Sequence, residues 1–210
     1  MRTPILSERP VVVITGASGG IGAALARRVA PTHALSLVAR RHAELTHVGE
    51  QQTASTGTPV LTICADVTSR AEVQRIVRET LARFGRIDAW VNNVGQGITR
   101  MPSELTDDDI DDMMRINVKS ALYGMQEILP HFQAVGRGHV VNVSSMLGRA
   151  PFALQRSAYS AAKHFLNALT ANYRTEVQAT HPEIQLSLIS PGVVRTDFGL
   201  NALHGGIDSR

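Results

Sequence analysis

The chain has 210 residues, 43% hydrophobic and 19% charged, a balance that suits one globular domain over 1–210 and excludes a disordered protein. Its net charge of +3 is mild, and the arginines come in pairs (Arg27-Arg28, Arg40-Arg41) rather than one basic block, which argues against nucleic acid as a partner. The single cysteine, Cys64, excludes an internal disulfide, and no apolar stretch suits a leader or a membrane span, so a cytoplasmic protein with no membrane partner is expected.

Taken in order, residues 11–15 (VVVIT) form a continuous β-branched run of the kind buried on both faces in a parallel sheet. Gly16-Ala17-Ser18-Gly19-Gly20-Ile21-Gly22 follows at once, and residues 23–29 have helical character. Glycines let a backbone turn sharply and approach a pyrophosphate, and a helix N-terminus offers N–H groups to it. No Lys-Ser or Lys-Thr pair follows, which excludes a P-loop.

The next apolar run, 34–39, ends in Arg40-Arg41 with no Asp or Glu between positions 34 and 42. Where dinucleotides bind, an acid at this place takes the ribose 2′-hydroxyl and an arginine accommodates a 2′-phosphate, so the pattern points to NADP(H) over NAD(H). A helix over 41–54, a turn at 55–59, a strand over 60–64 and a helix capped by Ser69 and stopped by Gly85 are expected next. A fourth strand over 87–91 leads into Asn92-Asn93-Val94-Gly95.

Thr106 and the acids Asp107, Asp108 and Asp109 predict a capped N-terminus of one long helix; acids in a first turn complement the helix dipole, and no calcium-loop glycine accompanies them. Asn117 lies among the apolar positions of that helix, so it is either locked to backbone or facing a wet site. A fifth strand over 139–145 ends in Ser144-Ser145, and a sixth over 183–189 leads to Ser190-Pro191-Gly192. Strands alternating with helices give an α/β class with a parallel sheet. The eight histidines form no His-Glu-x-x-His pattern, so no metal is expected.

Between the last two strands, Tyr159 and Lys163 stand four apart on a helix read over 157–173, hence on one face. A protonated lysine beside a phenol favours phenolate and would draw the tyrosine towards neutral pH from its usual value near ~10. A tyrosine so tuned serves as a proton donor or acceptor.

Thr15-Gly16-x-x-x-Gly20-x-Gly22, Asn92-Asn93-x-Gly95, Asn117, Ser145, Tyr159-x-x-x-Lys163 and Pro191-Gly192-x-Val194-x-Thr196 occur in one order from residue 11 to about residue 197. In this the chain resembles the short-chain dehydrogenase/reductase family, classical subgroup. The resemblance implies a Rossmann-type doubly wound parallel sheet and an NADP-dependent carbonyl reductase or secondary-alcohol dehydrogenase. It implies that Gly16, Ser18, Gly20, Ile21 and Gly22 cradle the pyrophosphate end, that Arg40 with Arg41 meets the 2′-phosphate, and that Asp66 and Val67 flank the adenine. Asn93 would meet the adjoining ribose, Val194 and Thr196 the carboxamide, and Gly95, Pro191 and Gly192 would complete the cofactor set. Tyr159 would exchange the proton, Lys163 would lower its pKa and bind the nicotinamide ribose, Ser145 would hold the substrate oxygen, and Asn117 would hold a water.

Ser145 precedes Tyr159 by fourteen residues, one more than the family's commonest spacing, which keeps Ser144 as a weaker candidate. Relatives continue past Thr196 with another helix and a last strand; here either the sequence is incomplete or that C-terminal part is missing. Expected pocket walls are 96–101, 147–156 and the segment after Thr196, with Arg149 and Arg156 read as solvated loop arginines ahead of attractors for an acidic substrate. Pairing of subunits, as a homodimer or homotetramer, is implied through the helices near Thr106 and Ser157, with Phe165, Ala168, Leu169 and Tyr173 as core or interface. A non-catalytic dinucleotide sensor on the same fold is the alternative function.

Overall fold

Six parallel strands make one sheet in the order β3-β2-β1-β4-β5-β6, within a computed structural model that describes residues 7–206. The strands are β1 Val11–Thr15, β2 Ala34–Ala39, β3 Val60–Cys64, β4 Ala89–Asn92, β5 Gly138–Val143 and β6 Ile184–Ile189. Helices α1 Gly20–Val29, α2 His42–Thr56, α3 Arg70–Phe84, α4 Asp107–Met114, α5 Ser120–Val135 and α6 Ser157–Gln178 connect them. The result is a single Rossmann-like domain, as the alternating pattern implied.

Strand alternation sorts the core into two layers. Val12, Ile14, Leu35, Leu37 and Val91 face α1 and α2, through Ala26, Leu45 and Val48. Val13, Trp90, Val140 and Leu186 face α3, α5 and α6, through Ile76, Met125, Ile128, Phe132 and Val177. β1 pairs with both β2 and β4, so the strand order reverses between β1 and β4. The carboxyl ends of strands at such a switch point open the crevice where α/β sheets bind ligands. The glycine turn after β1 and the Asn93–Gly95 segment after β4 stand there.

A chain of buried amides runs across the second layer. Trp90 Nε1 donates to Asn92 Oδ1 at 2.7 Å, Asn92 Nδ2 donates to Asn142 Oδ1 at 2.8 Å, and Asn142 Nδ2 donates to Thr170 Oγ1 at 2.9 Å. Each buried polar atom thereby finds a partner, which links β4, β5 and α6 directionally. Asn92 is thus part of the scaffold, while its neighbour Asn93 reaches the site.

Several expectations need correction. The helix after Thr106 runs without a break to Val135, but it carries a π-helical turn, Arg115–Lys119, between α4 and α5. Such turns insert an extra residue and commonly mark functional positions. Ser69 occupies the N-cap position of α3 but makes no side-chain capping bond. β5 ends at Val143, two residues earlier than read, because Ser145 Oγ accepts from Leu147 N at 3.1 Å and starts a 3-10 turn.

The acidic cluster caps α4, and Asp109 does more. Thr106 Oγ1 accepts from Asp109 N at 3.2 Å and Asp109 Oδ2 accepts from Thr106 N at 3.0 Å, a complete capping box. Asp109 also binds His204 Nε2 at 2.7 Å and Arg100 Nη1 at 2.7 Å. The His204 bond first, then the Thr106 amide and Arg100, hold this carboxyl well below the usual carboxylate range. A depressed carboxylate stabilises the fold above its unfolded value near ~4 and loses that contribution as pH falls towards the folded value. Asp109→Asn is therefore expected to lower the urea midpoint at pH 6, with the gap to the parent protein narrowing between pH 4 and pH 2. A gap independent of pH would contradict the charged role of Asp109.

Candidate active site

The glycine turn is shaped for a close approach. Gly16 (φ 67°) and Gly20 (φ 54°) occupy the left-handed region that disfavours other residues. A Cβ on Gly22 would lie 2.4 Å from the Gly16 carbonyl oxygen, so that position admits no side chain without displacing the turn. Asn93 holds the turn from the other side: its Nδ2 donates to Thr15 O at 3.0 Å and Gly16 O at 3.3 Å, and its own N–H donates to Thr15 Oγ1 at 3.0 Å. α1 begins at Gly20 with no acidic residue in its first turn and no side-chain cap. Its first amides are therefore available to a phosphate, and the cradle fits the pyrophosphate of a dinucleotide.

The two arginines divide. Arg41 Nε and Nη2 donate to Ser18 Oγ at 3.2 and 3.1 Å, placing its guanidinium on the turn, where a Cβ at Gly19 would meet Nη2 at 3.1 Å. Arg40 instead leans towards Asp66, at 3.9 Å between exposed side chains. Asp66 Oδ1 accepts from Thr68 N at 2.9 Å, and Val67 is buried in the core.

α6 carries the pair into the interior: Tyr159 is 6% exposed and Lys163 2%. Ser145 stands next to the Tyr159 phenol. Ser144 is committed elsewhere, its Oγ donating to Asn167 Oδ1 at 2.5 Å, which removes the weaker candidate. Lys163 Nζ donates to Val143 O at 3.0 Å and stands 5.7 Å from the Tyr159 ring centre. One of three ammonium protons is thereby used.

Here the expected electrostatics are revised. Burial raises the Tyr159 pKa above its ordinary value, opposed by the Ser145 side chain and the charge of Arg156; Lys163 is not among the causes. Lys163 is itself pushed down to about 8 by burial. The amine is aimed at the end of β5, and at pH 7 it remains mostly protonated because about 8 lies above 7.

Asn117 sits within the π turn and is locked to backbone. Its Nδ2 donates to Gln96 O at 3.0 Å and Met113 O at 3.2 Å, and its Oδ1 accepts from Gln96 N at 3.1 Å. A Cβ on Gly95 would lie 3.0 Å from Asn117 Oδ1 and 3.4 Å from Lys163 Nζ, so this glycine lets the β4 loop pass between them.

The segment after β6 folds back over the site. Met146 N donates to Pro191 O at 2.8 Å, and a Cβ on Gly192 would meet Met146 Sδ at 3.5 Å. Thr196 closes on Gly20, whose Cβ would lie 3.5 Å from Thr196 Cγ2. Val194, Thr196, Gly20 and Ile21 border a cavity of about 700 Å³ at the start of α1. Further on, Ile98 bridges Leu203 in parallel register, Gln96 Nε2 donates to Asn201 O at 2.8 Å, and the Phe198 ring centre lies 5.6 Å from that of Tyr159. The three expected pocket walls thus meet around the phenol. Phe198 and the Asp109–His204 contact escaped the sequence reading, because each depends on a loop return that no local pattern encodes. Of the two arginines read as solvated ahead of attractors for an acidic substrate, Arg149 is exposed and Arg156 is half-buried.

No group of three or more His, Cys, Asp or Glu side chains among the described residues is arranged to hold a metal, and no described helix is long and apolar enough to cross a membrane. The short chain dehydrogenase family model matches residues 10–204. Levodione reductase of Leifsonia aquatica is 36% identical over 197 residues, spanning 92% of this chain and 72% of its own. An alcohol dehydrogenase of Thermococcus sibiricus, solved with 5-hydroxy-NADP, superposes with a TM-score of 0.84 at 28% identity, over 93% of this chain and 81% of that one. A short chain dehydrogenase/reductase of Burkholderia phymatum, solved with NAD, gives 0.88 at 26% identity, over 94% and 70%. The chain belongs to the short-chain dehydrogenase/reductase family of oxidoreductases.

Proposed function

We propose that this chain is an NADP(H)-dependent oxidoreductase acting on a ketone or secondary alcohol, with Tyr159 as the proton-exchanging group. The observation that carries the reading is the buried Tyr159 phenol, next to Ser145 and one helical turn from a buried lysine. Solved neighbours hold an NADP derivative in one case and NAD in another, so the neighbours support a nicotinamide cofactor, and the Arg41–Ser18 contact supports the 2′-phosphate.

When bound, the reduced nicotinamide supplies a hydride to the carbonyl carbon. Tyr159 gives its proton to the carbonyl oxygen, and takes it back in the oxidative direction. A phenol held above its ordinary pKa is protonated at neutral pH, which suits the donor role. Ser145 Oγ donates a second hydrogen bond to the same oxygen as negative charge builds there. Lys163 keeps two N–H groups beyond the Val143 bond for the nicotinamide ribose. Asn117 positions the 95–96 backbone against Lys163; its side chain is committed, so a water at this residue is held by its main chain. Copies of the chain pair through the outer face of α6, where Phe165 stays 50% exposed while Leu169 and Tyr173 pack into the core; sedimentation showing only monomer would remove that assembly.

Arg41→Ala is expected to weaken NADPH binding roughly tenfold while leaving NADH nearly unchanged, since one charge-assisted contact to the extra phosphate is lost. Arg40→Ala should have the smaller effect. Fluorescence titration of both cofactors checks this, and equal weakening would remove the 2′-phosphate role. A screen of carbonyl compounds with NADPH tests the activity itself: steady oxidation supports the enzyme, whereas binding without oxidation across the panel favours the sensor.

A further inference from the structure

Arg156 occupies the residue before α6, three positions from Tyr159, and its side chain turns inward. Nη1 donates to Ile98 O at 3.0 Å. A Cβ at Gly97 would lie 3.1 Å from Nη1, and one at Gly206 would lie 3.1 Å from Nη2, so both backbones come close to the guanidinium where glycine removes the side chain. The same Gly97 Cβ would meet Phe198 Cε1 at 3.3 Å, and Phe198 packs on Tyr159. Guanidinium, Phe198 and phenol are therefore neighbours.

Among the described residues this half-buried cation has no carboxylate partner. Its neighbours differ: Arg100 and His204 both rest on Asp109. A guanidinium offers five N–H donors, and one bond to Ile98 leaves most of them unused. A partly desolvated charge without a counter-ion is unfavourable, and a planar fork suits a carboxylate best.

We propose that Arg156 sets the substrate class: the ketone or alcohol processed beside Tyr159 carries a carboxylate, and Arg156 binds it. This rests on the oxidoreductase reading above. A monoanionic carboxylate matches the single unpaired charge, whereas a phosphate with nearly two charges would need a second cation that Asp109 has already neutralised. The charge of Arg156 also reaches Tyr159, where it favours the phenolate.

The test compares 2-, 3- and 4-oxo carboxylic acids with their methyl esters as substrates with NADPH, on the parent protein, Arg156→Gln and Arg156→Lys. In the parent protein kcat/KM favours the acid over its ester by at least about tenfold in one homologous pair, and added salt raises KM for the acid alone. Arg156→Gln brings that ratio close to one, losing far more on the acid than on the ester, and Arg156→Lys restores part of it. An ester as good as its acid throughout overturns the proposal, as does a variant that loses both equally, which would assign Arg156 to holding the 97–98 and 206 segments. Absence of turnover on every compound would count against the oxidoreductase reading instead. The anion site is then decided by calorimetric titration of the same acids into protein with NADP: binding that Arg156→Gln abolishes supports it, and no binding overturns it.

Discussion

Replacing Tyr159 by Phe is expected to lower turnover on the order of 10³-fold while leaving NADPH affinity nearly unchanged. The ring is 6% exposed and packs with Phe198, Ala158 and Ala162, so a phenylalanine fills the same volume. What disappears is one hydroxyl, and with it the proton route to the substrate oxygen and the contact with Ser145. Ser145 would still offer a hydrogen bond to that oxygen, which sets a floor of residual activity. Single-turnover oxidation of NADPH with a good carbonyl substrate measures the effect, beside a fluorescence titration of the cofactor. A variant within a few-fold of the parent would remove Tyr159 from the chemistry. The pH profile adds a check: a phenol raised by burial predicts carbonyl reduction that persists through neutral pH and falls only in the alkaline range.

The second large effect concerns stability. Lys163 is 2% exposed with one hydrogen-bond acceptor, and its pKa is pushed down from 10.5 to about 8 by burial. Below pH 8 the amine is charged in both folded and unfolded chains, and the folded state carries the full burial penalty. Between about 8 and 10.5 the unfolded chain keeps a proton that the folded chain has released, so stability rises with pH across that window. Relative to Lys163→Met, the parent protein should gain about 2 kcal/mol between pH 7 and pH 10. Denaturant midpoints for both proteins at those two pH values decide it, and a constant difference would mean that the amine is not desolvated as the fold implies. A lysine so placed penalises folding, and the proposed function gives a reason to keep it there.

Short-range pattern made much of this site legible. The glycine turn, the β-branched run before it and the four-residue spacing of Tyr159 and Lys163 each span a few residues, so local periodicity and turn chemistry suffice to read them. Arg40 and Arg41 show where that ends. Arg41 sits at the N-cap of α2 with extended backbone (φ −82°, ψ 97°), and a boundary shifted by one residue decides which guanidinium meets Ser18. Lys163 shows a second limit: its acceptor, Val143 O, lies twenty residues earlier in a strand whose end no helical pattern locates. The bond between Asn92 and Asn142 spans fifty residues, and the return of Leu203 to Ile98 exceeds a hundred, so both follow only from the assembled sheet. The π turn is invisible in composition because its residues suit an ordinary helix equally well.

The amide chain described in the fold bears on how this molecule can vary. Lys163 and Thr170 are seven apart, close to two turns, and both reach β5, one at Val143 O and the other at Asn142 Nδ2. Two bolts along one stripe stop α6 from rolling, and Ser160 Oγ on Leu147 O with Asn167 Nδ2 on Gly148 O tie the same helix to the start of the linker, so the bearing of the phenol is set by the sheet and residues 147–148 together. Residues 150–155, which make none of these bonds to α6, are the part of the linker that can change without swinging Tyr159 out of line. Reactivity and selectivity become separable parts: the frame keeps the first constant while the linker is left to explore the second.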